Sequence, residues 1–263
     1  MSSNGILFVG DLVGGAGRRA LLEVLPGLRE EFAPRFVVVN AENAAGGRGI
    51  TPKIAAELFA AGVDAITLGN HAYKRSEGWG LLDEDDRVVR PANHFATSPG
   101  RGSTVIERDG VRLGVLNLSG NLGMDAPHPF VATAESAIHD LSKRSDLILV
   151  DFHAEATSEK VALGWLLDGR VTAVVGTHTH VPTADARILP GGTAYITDVG
   201  MTGSRDGVIG VVREQAIEAM TSHLPVRFEP AEADPWVNAV MIRPASGSDP
   251  ARIDQVLRPA GRG

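Results

Sequence analysis

The stretch Val171-Thr172-Ala173-Val174-Val175-Gly176-Thr177-His178-Thr179-His180 sets an apolar run of strand length directly before two histidines. The same order occurs four times earlier in the chain. Residues 6–9 precede Asp11, residues 36–39 precede Glu42-Asn43, residues 65–68 precede Asn70-His71, and residues 147–150 precede His153. Runs that are continuously apolar rather than alternating suit parallel strands covered on both faces. Helices supply the cover. Residues 20–32 and 54–61 read as helical, the second introduced by Thr51 as N-cap and Pro52 at the first helical position. Thr157 or Ser158 is placed to cap a further helix towards Leu167.

Two stretches break this rhythm. Residues 103–118 hold Asp109-Gly110 between β-like runs, and residues 187–197 hold Pro190-Gly191-Gly192 between two more, so both read as hairpins. A β-rich segment at 225–257 is expected to add antiparallel strands at an edge or on a second sheet. The expected architecture is α/β with mixed sheets, two of them sandwiched by helices. With no repeat, low-complexity block or linker-like shift in composition, residues 1–263 are expected to form a single domain, with Gly261-Arg262-Gly263 fraying.

In an open α/β sheet the carboxyl ends of parallel strands share one edge, where ligands bind. Five separate segments therefore deliver carboxylate, amide and imidazole groups to one place. Each has a plainer reading alone. Asp11 could cap a helix, Glu42-Asn43 could be a solvated turn, Asn70 a strand-end turn residue, and His153 a hydrogen-bonded interior histidine. Taken together, those readings require five independent coincidences. His178 and His180 are the stronger pair, because positions two apart on an extended chain share a face.

The absence of cysteine excludes thiolate zinc, iron–sulfur clusters and a cysteine nucleophile, so any metal must bind nitrogen and oxygen. Oxygen donors mixed with imidazoles suit Fe, Mn or Zn better than Ca or Mg. Seven candidates (Asp11, Glu42, Asn43, Asn70, His153, His178 and His180) exceed what one four-coordinate zinc uses. Two ions about 3.5–4 Å apart, sharing one carboxylate, accommodate them all. Such a pair acidifies a bridging water to hydroxide and clamps a phosphoryl oxygen. His71, beside Asn70, is then the natural general acid for the leaving oxygen.

A formal net charge of -7 offers no broad basic surface for a nucleic-acid backbone, although a short RNA end could still enter a metal site. No apolar run approaches the ~20 residues needed to span a bilayer, and Met1 to Gly5 is too short and uncharged for a signal peptide, so a cytoplasmic location without membrane contact is expected.

These residues resemble a known family. Gly69-Asn70-His71 and Gly176-Thr177-His178-Thr179-His180 are similar to the G-N-H and G-H-x-H blocks of calcineurin-like metallophosphoesterases. More narrowly, Gly10-Asp11-Leu12-Val13-Gly14, Asn40-Ala41-Glu42-Asn43-Ala44, Arg90-Pro91-Ala92-Asn93, the block from Asp151 through His153 to Lys160, and Asp198-Val199-Gly200-Met201-Thr202-Gly203 resemble the bacterial YmdB family. The similarity runs from Ile6 to about Phe228. It implies a four-layer αββα sandwich of mixed sheets and hydrolysis of small phosphodiesters, characteristically 2′,3′-cyclic nucleotides opened at the 2′ bond. It also implies that Asp11, Asn43 and His180 hold one metal, that Asn70, His153 and His178 hold the other, that Glu42 bridges them and that His71 donates the proton. Two iron ions per chain are expected, with Mn or Zn as alternatives. The expected partners are the small phosphodiester or nucleotide substrate, short RNA ends and, as a homo-oligomer, further copies of the chain.

Three positions depart from the wider superfamily. Val13 stands where its D-x-H opening has histidine, Glu42 replaces its bridging Asp, and Ala72 replaces the carboxylate that follows Gly-Asn-His. The first two agree with the narrower family. The third removes an adjacent carboxylate that could orient His71. Arg18 and Arg48 are weaker candidates for substrate phosphate. Asp168, Asp185 and Asp198 are candidates to orient the ligand histidines. His94, His128, His139 and His223 match no ligand block and are expected to pack or face solvent. Two competing functions use the same residues: a phosphomonoesterase or nucleotidase, and a regulatory module that binds a nucleotide or protein with weak hydrolysis.

Overall fold

A computed structural model describes residues 5–261. Met1 to Asn4, which open the N-terminal segment considered above, lie outside the described residues, as do Arg262 and Gly263 of the expected fraying tail. The elements run β1 (Ile6–Val9), α1 (Gly14–Phe32), β2 (Phe36–Asn40), α2 (Pro52–Ala60), β3 (Ala65–Thr67), α3 (Trp79–Glu84), β4 (Val88–Val89), β5 (Ser103–Arg108), β6 (Val111–Ser119), α4 (Phe130–Leu141), β7 (Leu147–His153), α5 (Thr157–Leu167), β8 (Ala173–Thr177), β9 (Arg187–Ile188), β10 (Ala194–Ile196), β11 (Gly203–Ser204), α6 (Arg213–Ser222), β12 (Pro235–Arg243) and β13 (Arg252–Pro259).

Two mixed sheets result. In the first, β1, β2, β3 and β4 run parallel in that order, and β12 joins β1 antiparallel and carries both β11 and β13. In the second, β6, β7, β8 and β10 are parallel neighbours, with β5 and β9 antiparallel at the ends. The continuous apolar runs explain the layering, because the central strands β1, β2, β3 and β8 bury both faces. Ile6, Phe8, Phe36 and Val38 from the first sheet meet Leu113, Leu149, Ala173 and Val175 from the second in an inter-sheet core. The alternate residues Leu7, Val9, Val37 and Val39 pack on Leu21, Leu25 and Leu28 of α1 and Ile54 and Leu58 of α2. On the far side, Val150, Phe152 and Val174 pack on Ile138 and Leu141 of α4 and Leu163 and Leu167 of α5. The order of layers is helix, sheet, sheet, helix, the four-layer αββα sandwich that the resemblance implies.

The Asp109-Gly110 hairpin forms, with both turn residues at positive φ (50° and 75°) as the tight two-residue connection requires. Thr51 caps α2, its Oγ1 accepting from the Ile54 N–H at 3.3 Å. Several boundaries differ from the expectation. Helix α1 begins at Gly14, six residues before Ala20, because a glycine-rich first turn carries no apolar periodicity. Ala156, with no side-chain cap, precedes α5, so Thr157 is its first residue rather than its cap. The fifth strand is shifted two residues onward, to 173–177, and 225–229 form no strand; the last two strands join the first sheet, β12 beside β1 and β13 beside β12.

Candidate metal centre

Each candidate lies at the carboxyl end of a parallel strand. Asp11 follows β1, Glu42 and Asn43 follow β2, Asn70 and His71 follow β3, His153 is the last residue of β7, and His178 and His180 follow β8. The first three strands belong to one sheet and the last two to the other, so the residues meet where both carboxyl edges converge. One ligand atom each from Glu42, His153 and His178 lies within 4.8 Å of the others.

Four acceptor-type atoms crowd one point. His153 Nε2 is 3.0 Å from Asn70 Oδ1, 3.1 Å from His178 Nδ1 and 3.3 Å from Glu42 Oε2. Beside it, His180 Nε2 lies 3.1 Å from the Asn43 amide and 3.9 Å from Asp11 Oδ1. That Asp11 oxygen is fully buried and has no hydrogen-bond partner, although its companion Oδ2 accepts the His178 backbone N–H at 3.1 Å. A buried carboxylate oxygen left unpaired is costly unless a cation completes it. The donor set, nitrogen and oxygen only, fits divalent transition metals. Gly69 is needed at its position because a Cβ there would collide with the Glu42 carboxylate and the His153 ring.

Partners behind the histidines fix which nitrogen faces the site. The Thr177 hydroxyl donates to Asp151 Oδ1 at 2.8 Å and therefore accepts the His153 Nδ1–H at 2.9 Å, leaving Nε2 with a lone pair for a metal. His180 Nδ1 donates to the Ile209 carbonyl at 2.8 Å, with the same consequence for its Nε2. Asp151 is buried and also accepts from Thr67 Oγ1 at 2.5 Å and Asn40 Nδ2 at 2.9 Å, which ties β7 of one sheet to β2 and β3 of the other below the site. Burial, only partly offset by His153 and these donors, pushes the Asp151 carboxyl up to about 6.

The expected orienting acids are corrected here. Neither Asp168 nor Asp185 contacts a candidate ligand: the first holds Gly191 and the second Thr183 and Thr197. Asp198 acts on backbone geometry, accepting from Thr179 N (3.1 Å), Thr179 Oγ1 (2.8 Å) and the buried Lys160 ammonium (2.7 Å). The sequence reading missed Asp151, although an acid two residues before His153 inside an apolar strand was the available signal. It also took residues 178–180 as extended. Instead His178 and His180 have φ of 100° and 66°, and the Asp198 clamp on Thr179 lies between them. Positive φ at two non-glycine residues costs on the order of 1–3 kcal/mol each and needs such surrounding support.

The charges are coupled. Burial alone would raise the Glu42 carboxyl, but His153 and His71 hold it well below its usual range. Burial would lower His153, yet the Glu42 charge overrides this and raises the imidazole to about 9. His178 is driven down to about 4, by burial first and then by the His153 charge. Burial raises Asp11.

His71 lacks a neighbouring acid in sequence but not in space. Its Nδ1 lies 2.7 Å from Asn43 Oδ1 and 3.3 Å from Glu42 Oε1, and its backbone N–H donates to Glu42 Oε2 at 3.0 Å. Together with Glu42, Asn43, His178 and His180 it lines a cleft of ≈ 370 Å³, whose other walls include Val13, Arg48, Ile209 and Phe228. Arg18 is not on this lining; its guanidinium donates to the Ala44 carbonyl and lies 3.9 Å from Glu57. His94 and His128 pack edge-on against Tyr73 and Phe95, away from the cleft.

Residues 7–256 match the family described as YmdB-like protein. The chain is 48% identical over 237 residues to a Bacillus subtilis (strain 168) protein named 2′,3′-cyclic-nucleotide 2′-phosphodiesterase, with 90% of each chain covered. Two solved structures share the fold: a hypothetical protein from Thermus thermophilus (TM-score 0.91, 38% identity, 97% of this chain and 99% of that one), and one from Mycoplasma pneumoniae described as a novel phosphatase (TM-score 0.89, 34% identity, 100% and 96%).

Proposed function

The chain belongs to the YmdB-like family, and from that membership and the geometry of its site we propose that it is a metal-dependent phosphodiesterase acting on 2′,3′-cyclic nucleotides. The observation that carries the reading is the convergence of Glu42, His153 and His178 within 4.8 Å of one another, beside the unpartnered buried oxygen of Asp11. Asp11, Asn43 and His180 are assigned to one metal and Asn70, His153 and His178 to a second, with Glu42 shared. The chemistry supplied by such a bound pair, iron or else manganese or zinc, is acidification of water and neutralisation of phosphoryl charge.

The chain's own residues do the rest. Thr177 and the Ile209 carbonyl hold His153 and His180 with Nε2 towards the site. Asn43 keeps a second lone pair on Oδ1 after accepting from His71, so it can orient that ring and bind metal together. His71 then protonates the ribose oxygen as it leaves, its ring held by Asn43 at 2.7 Å and lying 3.3 Å from Glu42. Among the described residues no helix is long and apolar enough to cross a membrane.

A phosphomonoesterase reading is kept because the Mycoplasma pneumoniae relative is described as a phosphatase. A substrate panel separates the two. The proposal predicts that the metal-loaded enzyme turns over 2′,3′-cyclic AMP in preference to p-nitrophenyl phosphate and mononucleotides. Preference for the monoesters would replace it with the second reading.

A further inference from the structure

The cleft does not end at the metal site. Its Gly46, Arg48 and Phe228 also line a second hollow of ≈ 470 Å³, whose remaining side chains include Lys74, Arg75 and Arg227. Four cations thus border one groove and no carboxylate lines it, in a chain whose net charge is -7. Among the described residues, acids pair with cations elsewhere, as in Arg19–Glu232, Arg112–Asp146 and Arg258–Glu31, yet none of these four forms an ion pair.

The groove is built rather than incidental. Arg75 donates to the Ala45 carbonyl at 2.8 Å and the Arg48 carbonyl at 3.2 Å, fixing the turn that carries Arg48 while keeping its own charge. Gly46 and Gly49 in that turn have φ of 63° and 75°, and a Cβ on Gly49 would strike the Arg75 side chain. Phe228, 45% exposed, stands where cleft and groove join and presents an aromatic surface. Glu155 and Glu229 line the cleft but not the groove.

A cyclic mononucleotide carries one phosphate, which the metal site holds, and leaves the four cations of the groove without an anion. We propose that the groove receives the phosphates on the 5′ side of the scissile one, so that the substrate is the 3′ end of an oligoribonucleotide terminated by a 2′,3′-cyclic phosphate. The terminal base stacks on Phe228, Arg48 spans the junction, and Lys74, Arg75 and Arg227 follow the backbone away from the metals. Aromatic stacking with phosphate-tracking cations is how single strands are held with little sequence preference. This inference rests on the phosphodiesterase reading.

The test compares, in the metal-loaded full chain, 2′,3′-cyclic AMP, its 5′-phosphorylated form, and a trinucleotide ending in a 2′,3′-cyclic phosphate. The expected result is a kcat/KM for the trinucleotide about tenfold or more above that of 2′,3′-cyclic AMP, carried mainly by KM and shrinking as salt rises. The Lys74→Ala/Arg227→Ala variant should lower turnover of the trinucleotide several-fold more than turnover of 2′,3′-cyclic AMP, and Arg227→Lys should keep most of the advantage. Binding of the labelled trinucleotide to metal-free protein, read by fluorescence anisotropy, should weaken in the same double variant. Equal kcat/KM for mononucleotide and trinucleotide overturns the groove and leaves the phosphodiesterase reading standing. Full advantage from the 5′-phosphorylated mononucleotide also overturns it, limiting the groove to one phosphate. Turnover of none of the three substrates overturns both.

Discussion

Glu42 Oε2 lies 3.3 Å from His153 Nε2, and the two residues come from different sheets. Glu42 follows β2 and His153 ends β7, so this contact joins the two halves of the sandwich at their carboxyl edges. If Glu42 is the residue common to both ions, Glu42→Gln removes the anion they share. At least one metal should be lost on elemental analysis, and phosphodiesterase activity should vanish with it. Full occupancy in an inactive variant would assign Glu42 to chemistry rather than to binding.

A second consequence concerns Thr177, which holds the His153 ring through Nδ1 and is itself held by Asp151. Thr177→Val keeps the volume and deletes the link. Loss of such an outer partner typically weakens metal affinity about 10–100-fold. Titration with Mn(II) under conditions where the wild type binds tightly should register that loss, with the fold intact by circular dichroism. Unchanged affinity would mean that His153 is positioned by packing alone.

The charge state of the metal-free site predicts a pH dependence. With the Glu42 charge beside it, His153 titrates at about 9 and carries its proton at neutral pH, whereas His178, at about 4, is already neutral. A metal needs the neutral imidazole, so loading must expel the His153 proton. Apparent metal affinity should therefore rise with pH up to about 9 and fall below it, with proton release visible as buffer-dependent heat in calorimetry. Affinity independent of pH from about 7 to 8.5 would contradict the pairing of Glu42 with His153.

If His71 is the general acid, its removal separates binding from catalysis. His71→Ala should keep both metals but lose on the order of 10²–10⁴ in rate on 2′,3′-cyclic AMP, the usual worth of a positioned proton donor. The same variant should be hurt far less on an aryl phosphodiester, because p-nitrophenolate leaves without a proton. Loss of metal, or equal slowing of both substrates, would make His71 a ligand or positioning residue instead.

How much of this was legible depended on how local each signal is. Continuous apolar runs ending in polar residues mark buried parallel strands without ambiguity, so the layers and the edge where Asp11, Glu42, Asn70, His153 and His178 gather could be read directly. The Asp109-Gly110 turn was equally plain, since few residues tolerate its two positive φ angles. Helix α1 was read short because Gly14 to Gly17 carries no periodic face. Helix α6, which buries only Ala216, went unmarked in polar sequence, and α4 went unmarked although Ala134, Ile138 and Leu141 carry a helical spacing. The cleft walls at Ile209 and Phe228 come from irregular segments whose partners are distant in sequence, and no short motif encodes such a contact. Asp151 was passed over in favour of Asp168, Asp185 and Asp198 although it opens the block that holds His153, and it reaches that ligand histidine through the Thr177 hydroxyl.

The most direct test of the central claim is to strip the protein with chelator and restore metal stepwise while following 2′,3′-cyclic AMP. Turnover should be absent without metal, rise to a plateau at two equivalents of Fe(II) or Mn(II) per chain, and yield the 3′-monophosphate, as opening at the 2′ bond requires. A plateau at one equivalent, or full turnover in verified metal-free protein, would contradict the account.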